Sequence, residues 1–136
     1  MAVEDFTRMV LREKAQTLAA AIARLVSQLP RDRVAGVIGT QLVRAAGSVP
    51  ANIAEGYGRF SQPAYRNHLS IARGSLFETE SWLDLLHRTG CLSDETRRAL
   101  HADCQEVGRM LTQKMKSLGA AKLTYAREEA SVYADD

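Results

Sequence analysis

Two histidine–cysteine pairs are the first residues whose type and spacing could do chemistry. His87 and Cys91 stand four apart, and His101 and Cys104 three apart. On a helix those separations bring imidazole and sulfur to one face, and four such ligands would suit tetrahedral zinc. Gly90 interrupts the first pair and no Cys-x-x-Cys element anchors the second, so no metal is expected. A di-iron bundle would need Glu-x-x-His pairs on facing helices, and the sequence has none. Glu78 and Glu80, two residues apart, cannot serve one site. Arg97, Arg98 and His101 have the composition of a nuclease centre, but no second proton-transfer group accompanies them. Gly56-x-Gly58 is too sparse for a phosphate loop, and no lysine follows it. Nor do the polar faces carry a clear base-reading set for a helix-turn-helix. The expectation is a protein with no catalytic residue and no cofactor, acting by recognition.

The elements that position these residues are all helical. Leu11, Leu18, Ile22, Leu25 and Leu29 recur at three- and four-residue spacing, which predicts a first helix from near Phe6 or Leu11 to Gln28, closed by Pro30. A second helix runs from near Asp32 to Gly56 or Tyr57 on the stripe Ile38, Leu42, Ala46, Val49, Ile53 and Tyr57, with Ala45 and Ala46 allowing close approach. Pro50 lies inside it. The apolar phase continues unchanged across the proline, so one bent helix is expected, with the freed Ala46 carbonyl met by water or a side chain such as Ser48. Ser61, followed by Pro63, caps a third helix with Leu69, Ala72, Leu76, Thr79, Leu83 and Leu86 inward. Gly90 and Cys91 close it. Ser93 with Asp94 and Glu95 opens a fourth, carrying Leu100, Cys104, Val107, Leu111, Met115 and Leu118, with Gly119 as its stop. Four amphipathic helices with short connections predict an all-α, antiparallel up-down four-helix bundle over residues 1–119. Residues 120–136 are expected as a helix extension or a frayed acidic tail.

One polar face is not explained by the core. At about 100° per residue, Arg44, Ser48, Asn52, Glu55 and Arg59 share a sector about 80° wide, read as roughly opposite the apolar stripe. Arg66, Ser70, Arg73, Phe77 and Glu80 line a second face on the third helix. Arginine, small hydroxyls, an amide and one carboxylate suit an assembly contact; they also suit phosphate, or simple solvation. Phe77 and Trp82 both lie off the apolar stripe, covered by a partner chain or the first helix, or sitting at the edge of the core.

Composition bounds the alternatives. The chain has 136 residues and a net charge of +2, unevenly spread. Residues 8–73 hold ten basic and three acidic side chains, residues 74–106 seven acidic and three basic, and residues 107–127 five basic and no acidic. A segregated positive potential favours an acidic partner, and an RNA or single-stranded DNA contact would draw on Arg8, Arg12, Lys14, Arg59, Arg66, Lys114, Lys116 and Lys122. No run is long and apolar enough for a membrane span, no signal peptide opens the chain, and two cysteines make no disulfide framework. A cytoplasmic protein with reduced thiols is expected.

The run LVRAAGSVPANIAEGYGR over residues 42–59 resembles the signature of a bacterial four-helix-bundle family whose first members are encoded by intervening sequences within 23S ribosomal RNA genes. Ser61, Tyr65, Leu69 and IARGSL over residues 71–76, followed by Glu78, are similar to the family's next block, and Leu29-Pro30 and Gln41 also match. The resemblance spans about residues 11–118. It implies a bundle that assembles as a ring-like homopentamer, with no catalytic residues to carry over. Arg44, Ser48, Asn52, Glu55, Gly56, Arg59, Arg73, Gly74 and Ser75 fall on its pattern. Related proteins include the accessory subunit of diversity-generating retroelements, similar to a basic pentamer that binds reverse transcriptase and nucleic acid; the +2 charge here departs from that. The resulting expectation is a homo-oligomeric scaffold or adaptor, with an RNA or single-stranded DNA binding accessory protein as the alternative and an antitoxin or enzyme-accessory role, with a partner protein, as a third reading.

Overall fold

The computed structural model describes residues 3–121, which form four helices and no strand. They are α1 (Val3–Ser27), α2 (Arg33–Tyr57), α3 (Gln62–Arg88) and α4 (Asp94–Ala121). Each helix packs on the next and α1 returns onto α4, whereas the diagonal pairs α1–α3 and α2–α4 do not meet. With connections this short, that is the antiparallel up-down ring. The α2–α3 seam is the most extensive and the α1–α4 seam the thinnest.

Local chemistry sets the boundaries. The Asp32 carboxylate accepts from the backbone N–H of Val34 (2.8 Å) and Ala35 (3.3 Å), satisfying donors that the first turn of α2 leaves open. Ser61 Oγ accepts from the Ala64 N–H and Ser93 Oγ from the Thr96 N–H, each at 3.2 Å. At the end of α3 the Cys91 N–H reaches back to the Leu86 carbonyl and the Gly90 N–H to the His87 carbonyl, each at 3.0 Å. Gly90 sits at φ 81°, so this is a Schellman close that needs a residue without a Cβ.

Three boundaries differ from the sequence expectation. α1 begins at Val3, ahead of Phe6 and Leu11, with Phe6 and Met9 on this first part largely exposed beside the hollow that faces α4. It ends at Ser27, where 3₁₀-type bonds from Gln28 and Leu29 tighten the chain before Pro30. α4 runs past Gly119 to Ala121, since a glycine stops a helix by turning left-handed and, among the described residues, only Gly90 does so. Residues 122–136, including Lys122 and most of the expected extension or tail, lie outside the described residues.

α2 is a single helix through Pro50, and the proline ring is itself buried in the core. Ser48 does not serve the Ala46 carbonyl: its hydroxyl donates to the Arg44 carbonyl at 2.9 Å. The core takes Leu11, Leu18 and Ile22 from α1, Ile38 to Ile53 from α2, Leu69 to Leu86 from α3, and Leu100 to Leu118 from α4. Thr79 is fully buried because its hydroxyl donates to the Ser75 carbonyl at 2.8 Å. Leu25, Leu29 and Met115 are only partly covered. Tyr57, expected inside, is 50% exposed. Its neighbour Gly56 is buried against α3, where an added Cβ would lie 2.7 Å from His68 Cβ. Tyr57 instead packs edge-on to Tyr65, with ring centres 6.0 Å apart, under the Arg8 guanidinium at 3.7 Å.

Candidate functional site

The polar strip of α2 faces the flank of α3, not the side opposite the core. The same 100° rule explains why, since the strip's centre lies about 130° from the apolar stripe and only the flank is that close. Asn52 Nδ2 donates to the Ser48 carbonyl (2.8 Å), and its Oδ1 lies 3.2 Å from His68 Nδ1. Arg59 Nε donates to His68 Nε2 at 3.2 Å while its Nη2 pairs with Glu55 at 2.7 Å. An acceptor at Nε2 places a proton on Nδ1, which faces Asn52 Oδ1 and has Glu55 Oε2 3.9 Å away. One end of the seam is tied by Glu78, whose Oε2 accepts from Arg44 Nη2 (2.7 Å) and Trp82 Nε1 (3.0 Å). Arg44 also donates to Gln41 at 3.1 Å. Trp82 is thus half-buried at the edge of the core, anchored by its indole N–H. His68 and Glu78, which carry the cross-helix bonds, were not among the candidates from periodicity, because their partners are distant in sequence.

Arg73 and Phe77 belong to another surface, the α3–α4 seam. Arg73 Nε donates to Thr112 Oγ1 at 3.2 Å and its guanidinium lies 4.9 Å from the Phe77 ring centre. With Arg109 and Lys116 from α4 they line a groove of about 480 Å³. A second hollow of about 430 Å³ continues along the seam beside Arg66, which donates to the Met115 carbonyl at 3.3 Å.

The cations expected to share a nucleic-acid surface are not brought together. Arg8 is committed to Tyr57, Lys14 pairs with Glu106 at 2.7 Å, and Arg59 is held by Glu55. Arg12 is exposed on α1, while Arg66 and Lys116 lie along the α3–α4 seam, each in a different hollow. Lys114 is a correction: it is 5% exposed, with its ammonium 5.9 Å from the Tyr65 ring centre. Its long stem crosses the packed seam, a burial that charge alone does not forecast.

The reactive-looking pairs have local roles. His87 Nδ1 lies 2.8 Å from the Leu92 carbonyl, and Arg97 and Arg98 both bind Asp94, at 2.8 and 2.7 Å. These arginines hold the Asp94 carboxyl below its ordinary range, the Arg97 hydrogen bond leading and outweighing the upward push of burial. Burial, with Glu80 and Asp103 nearby, pushes the Cys104 thiol up to about 12. Among the described residues no three of His, Cys, Asp and Glu converge as metal ligands.

Away from the bundle, α2 turns out a wall of small, uncharged residues: Gly36, Val37, Thr40, Val43, Gly47, Ala51 and Ala54 are all exposed, Val37 by 60%. On α3, across the polar strip of the seam, Ile71, Gly74, Ser81 and Leu85 are also exposed and uncharged. The charged side chains of α2 are Arg33, Arg44 and Glu55, whereas α4 has nine between Asp94 and Lys116. An ordinary solvated helix looks like α4.

Fold and seam together define a small all-α protein of the up-down four-helix class, with its distinctive polar residues on the α2–α3 hairpin. Residues 7–113 match the model of the 23S rRNA-intervening sequence protein family, and the chain belongs to that family. It is similar in structure to a protein of unknown function from the S23 ribosomal protein family of Bacteroides thetaiotaomicron, with a TM-score of 0.77 and 30% identity over 81% of this chain and 98% of that one. No curated protein matches the chain. Among the described residues, no helix is long and apolar enough to cross a membrane.

Proposed function

We propose that the protein is a non-catalytic homo-oligomeric scaffold or adaptor, a ring of five copies as its family resemblance implies, joined through the outer wall of α2 and α3. The supporting observation is the exposed, uncharged and glycine-bearing character of that wall. A Cβ added at Gly36, Gly47 or Gly74 meets nothing within 4 Å, so no contact among the described residues accounts for a glycine there. Each costs about 1 kcal/mol of helix stability relative to alanine. Backbone-close packing by a second chain would use both the missing side chains and the exposed Val37, Val43, Ile71 and Leu85, and a charge-poor centre is what assembly contacts have. A cyclic ring closes such a contact without leaving a free face.

Light scattering after gel filtration tests this. Five copies of a 15.0 kDa chain give about 75 kDa. Gly47→Arg with Ala51→Arg is expected to yield a helical monomer, since both positions open outward. A wild-type monomer at micromolar concentration would overturn the proposal.

A further inference from the structure

Among the described residues, four cations without a carboxylate partner line the α3–α4 seam, whereas Arg12, Arg24, Arg31 and Arg33, also without one, stand on α1 and around the α1–α2 turn. Lys14, Arg44, Arg59, Arg88, Arg97 and Arg98 each sit on an Asp or Glu. Arg66 and Arg73 instead donate to a carbonyl and a hydroxyl, which leaves their charge uncompensated. Arg109 and Lys116 are exposed, and among the described residues neither meets a carboxylate. The spacing is regular: Arg66 and Arg73 are seven residues apart on α3, and Arg109 and Lys116 seven apart on α4. Two turns separate each pair by about 10.5 Å on one face. The one acid lining the groove, Glu80, faces His101 at 3.8 Å, beside Phe77. Phe77 is 55% exposed, and the Arg73 guanidinium lies against its ring.

We infer that this seam binds single-stranded nucleic acid, its phosphates on the four cations and an unpaired base on Phe77. A cationic groove with an accessible aromatic is the arrangement that tracks a single strand. A duplex does not fit a furrow between helices whose axes are about 8–10 Å apart, and its bases are not free to stack on a side chain. Thr112, bonded to Arg73, fixes the guanidinium near the ring before any ligand arrives.

Fluorescence anisotropy with labelled single-stranded RNA and DNA oligonucleotides, titrated across salt, reads the cations directly. Four phosphate contacts give a slope of log Kobs against log[salt] of about −2.8. Arg109→Gln with Lys116→Gln should bring it to about −1.4 and weaken binding about 25-fold at 0.1 M salt. Phe77→Ala should weaken binding about tenfold with the slope unchanged. Arg31→Gln, in the exposed α1–α2 turn, should leave both within about twofold. Native mass and helicity of each variant are recorded alongside, so a failed groove is distinguishable from failed assembly. Wild-type protein that binds neither oligonucleotide overturns the inference. So does an Arg31→Gln loss equal to that of the groove variants, a duplex bound as tightly as a single strand, or displacement by polyglutamate as effective as by unlabelled oligonucleotide.

Discussion

Gly56→Ala tests the close approach on which the α2–α3 seam rests. The new methyl would lie 2.7 Å from His68 Cβ, 3.1 Å from Tyr65 Cδ1 and 3.2 Å from the Tyr65 carbonyl oxygen. Carbon atoms in contact prefer about 3.5–4.0 Å. His68 Cβ and the Tyr65 carbonyl are part of, or fixed to, the main chain, so no rotamer change relieves them; α2 and α3 must part by about 1 Å locally. Overpacking of this kind costs about 1–3 kcal/mol, against about 1 kcal/mol gained from replacing a helical glycine. Because the clash is with main-chain atoms the upper part of that range applies, about 2–3 kcal/mol, and the net expectation is destabilisation of about 1–2 kcal/mol. Urea unfolding followed by circular dichroism at one fixed protein concentration measures it, and the midpoint should fall by about 0.5–1 M with the slope preserved. Gly47→Ala is the internal control: its Cβ enters open space. In dissociated chains it should raise stability by about 0.5–1 kcal/mol, while in the assembly it should lower the native mass. A Gly56→Ala protein as stable as wild type would refute the packing of this seam.

Thiol labelling of the native protein should modify Cys91 readily and Cys104 only after unfolding, because Cys104 is fully buried with its thiol held up to about 12. By the same linkage, the folded chain keeps that proton while the unfolded chain loses it, so the contribution of Cys104 is intact below about pH 8.5 and falls as pH rises toward 12; Cys104→Ala should flatten the alkaline limb of stability. Asp94 behaves oppositely. Its depressed carboxyl stabilises the fold above the ordinary value of 3.8 and ceases to as pH falls through its lowered value, so the advantage of wild type over Asp94→Asn should vanish in acid. Glu78→Gln should shift Trp82 fluorescence and cost no more than about 1 kcal/mol, since its arginine partner is largely exposed.

The architecture was legible because its determinants are local. Leu, Ile and Ala at helical spacing fixed the inward faces, Asp32, Ser61 and Ser93 fixed the starts, and an unbroken phase across Pro50 kept α2 whole. What escaped is what depends on neighbours. Periodicity gave the sector of Arg44 to Arg59, but whether a sector faces solvent or the next helix is decided by the order of helices around the ring. His68, and Glu78 in its bond to Arg44, reach residues 9 to 34 positions away, beyond any helical repeat. Lys114 counted as surface because it is charged, and Tyr57 as core because it continues the apolar spacing four residues after Ile53. Both follow instead from how closely particular backbones meet.

The unequal seams of the ring also determine how the molecule comes apart. Where α1 meets α4, Lys14 and Glu106 span an open furrow of about 730 Å³ edged by Phe6, Met9 and Val107, so little buried surface opposes separation there. Opening free energy follows buried contact, and the least work is therefore spent by swinging the first helix outward while the central hairpin stays shut. The bundle is thus a clasped hairpin with a hinged leaf, and thermal fluctuation reaches its interior from the side where α1 lies against α4.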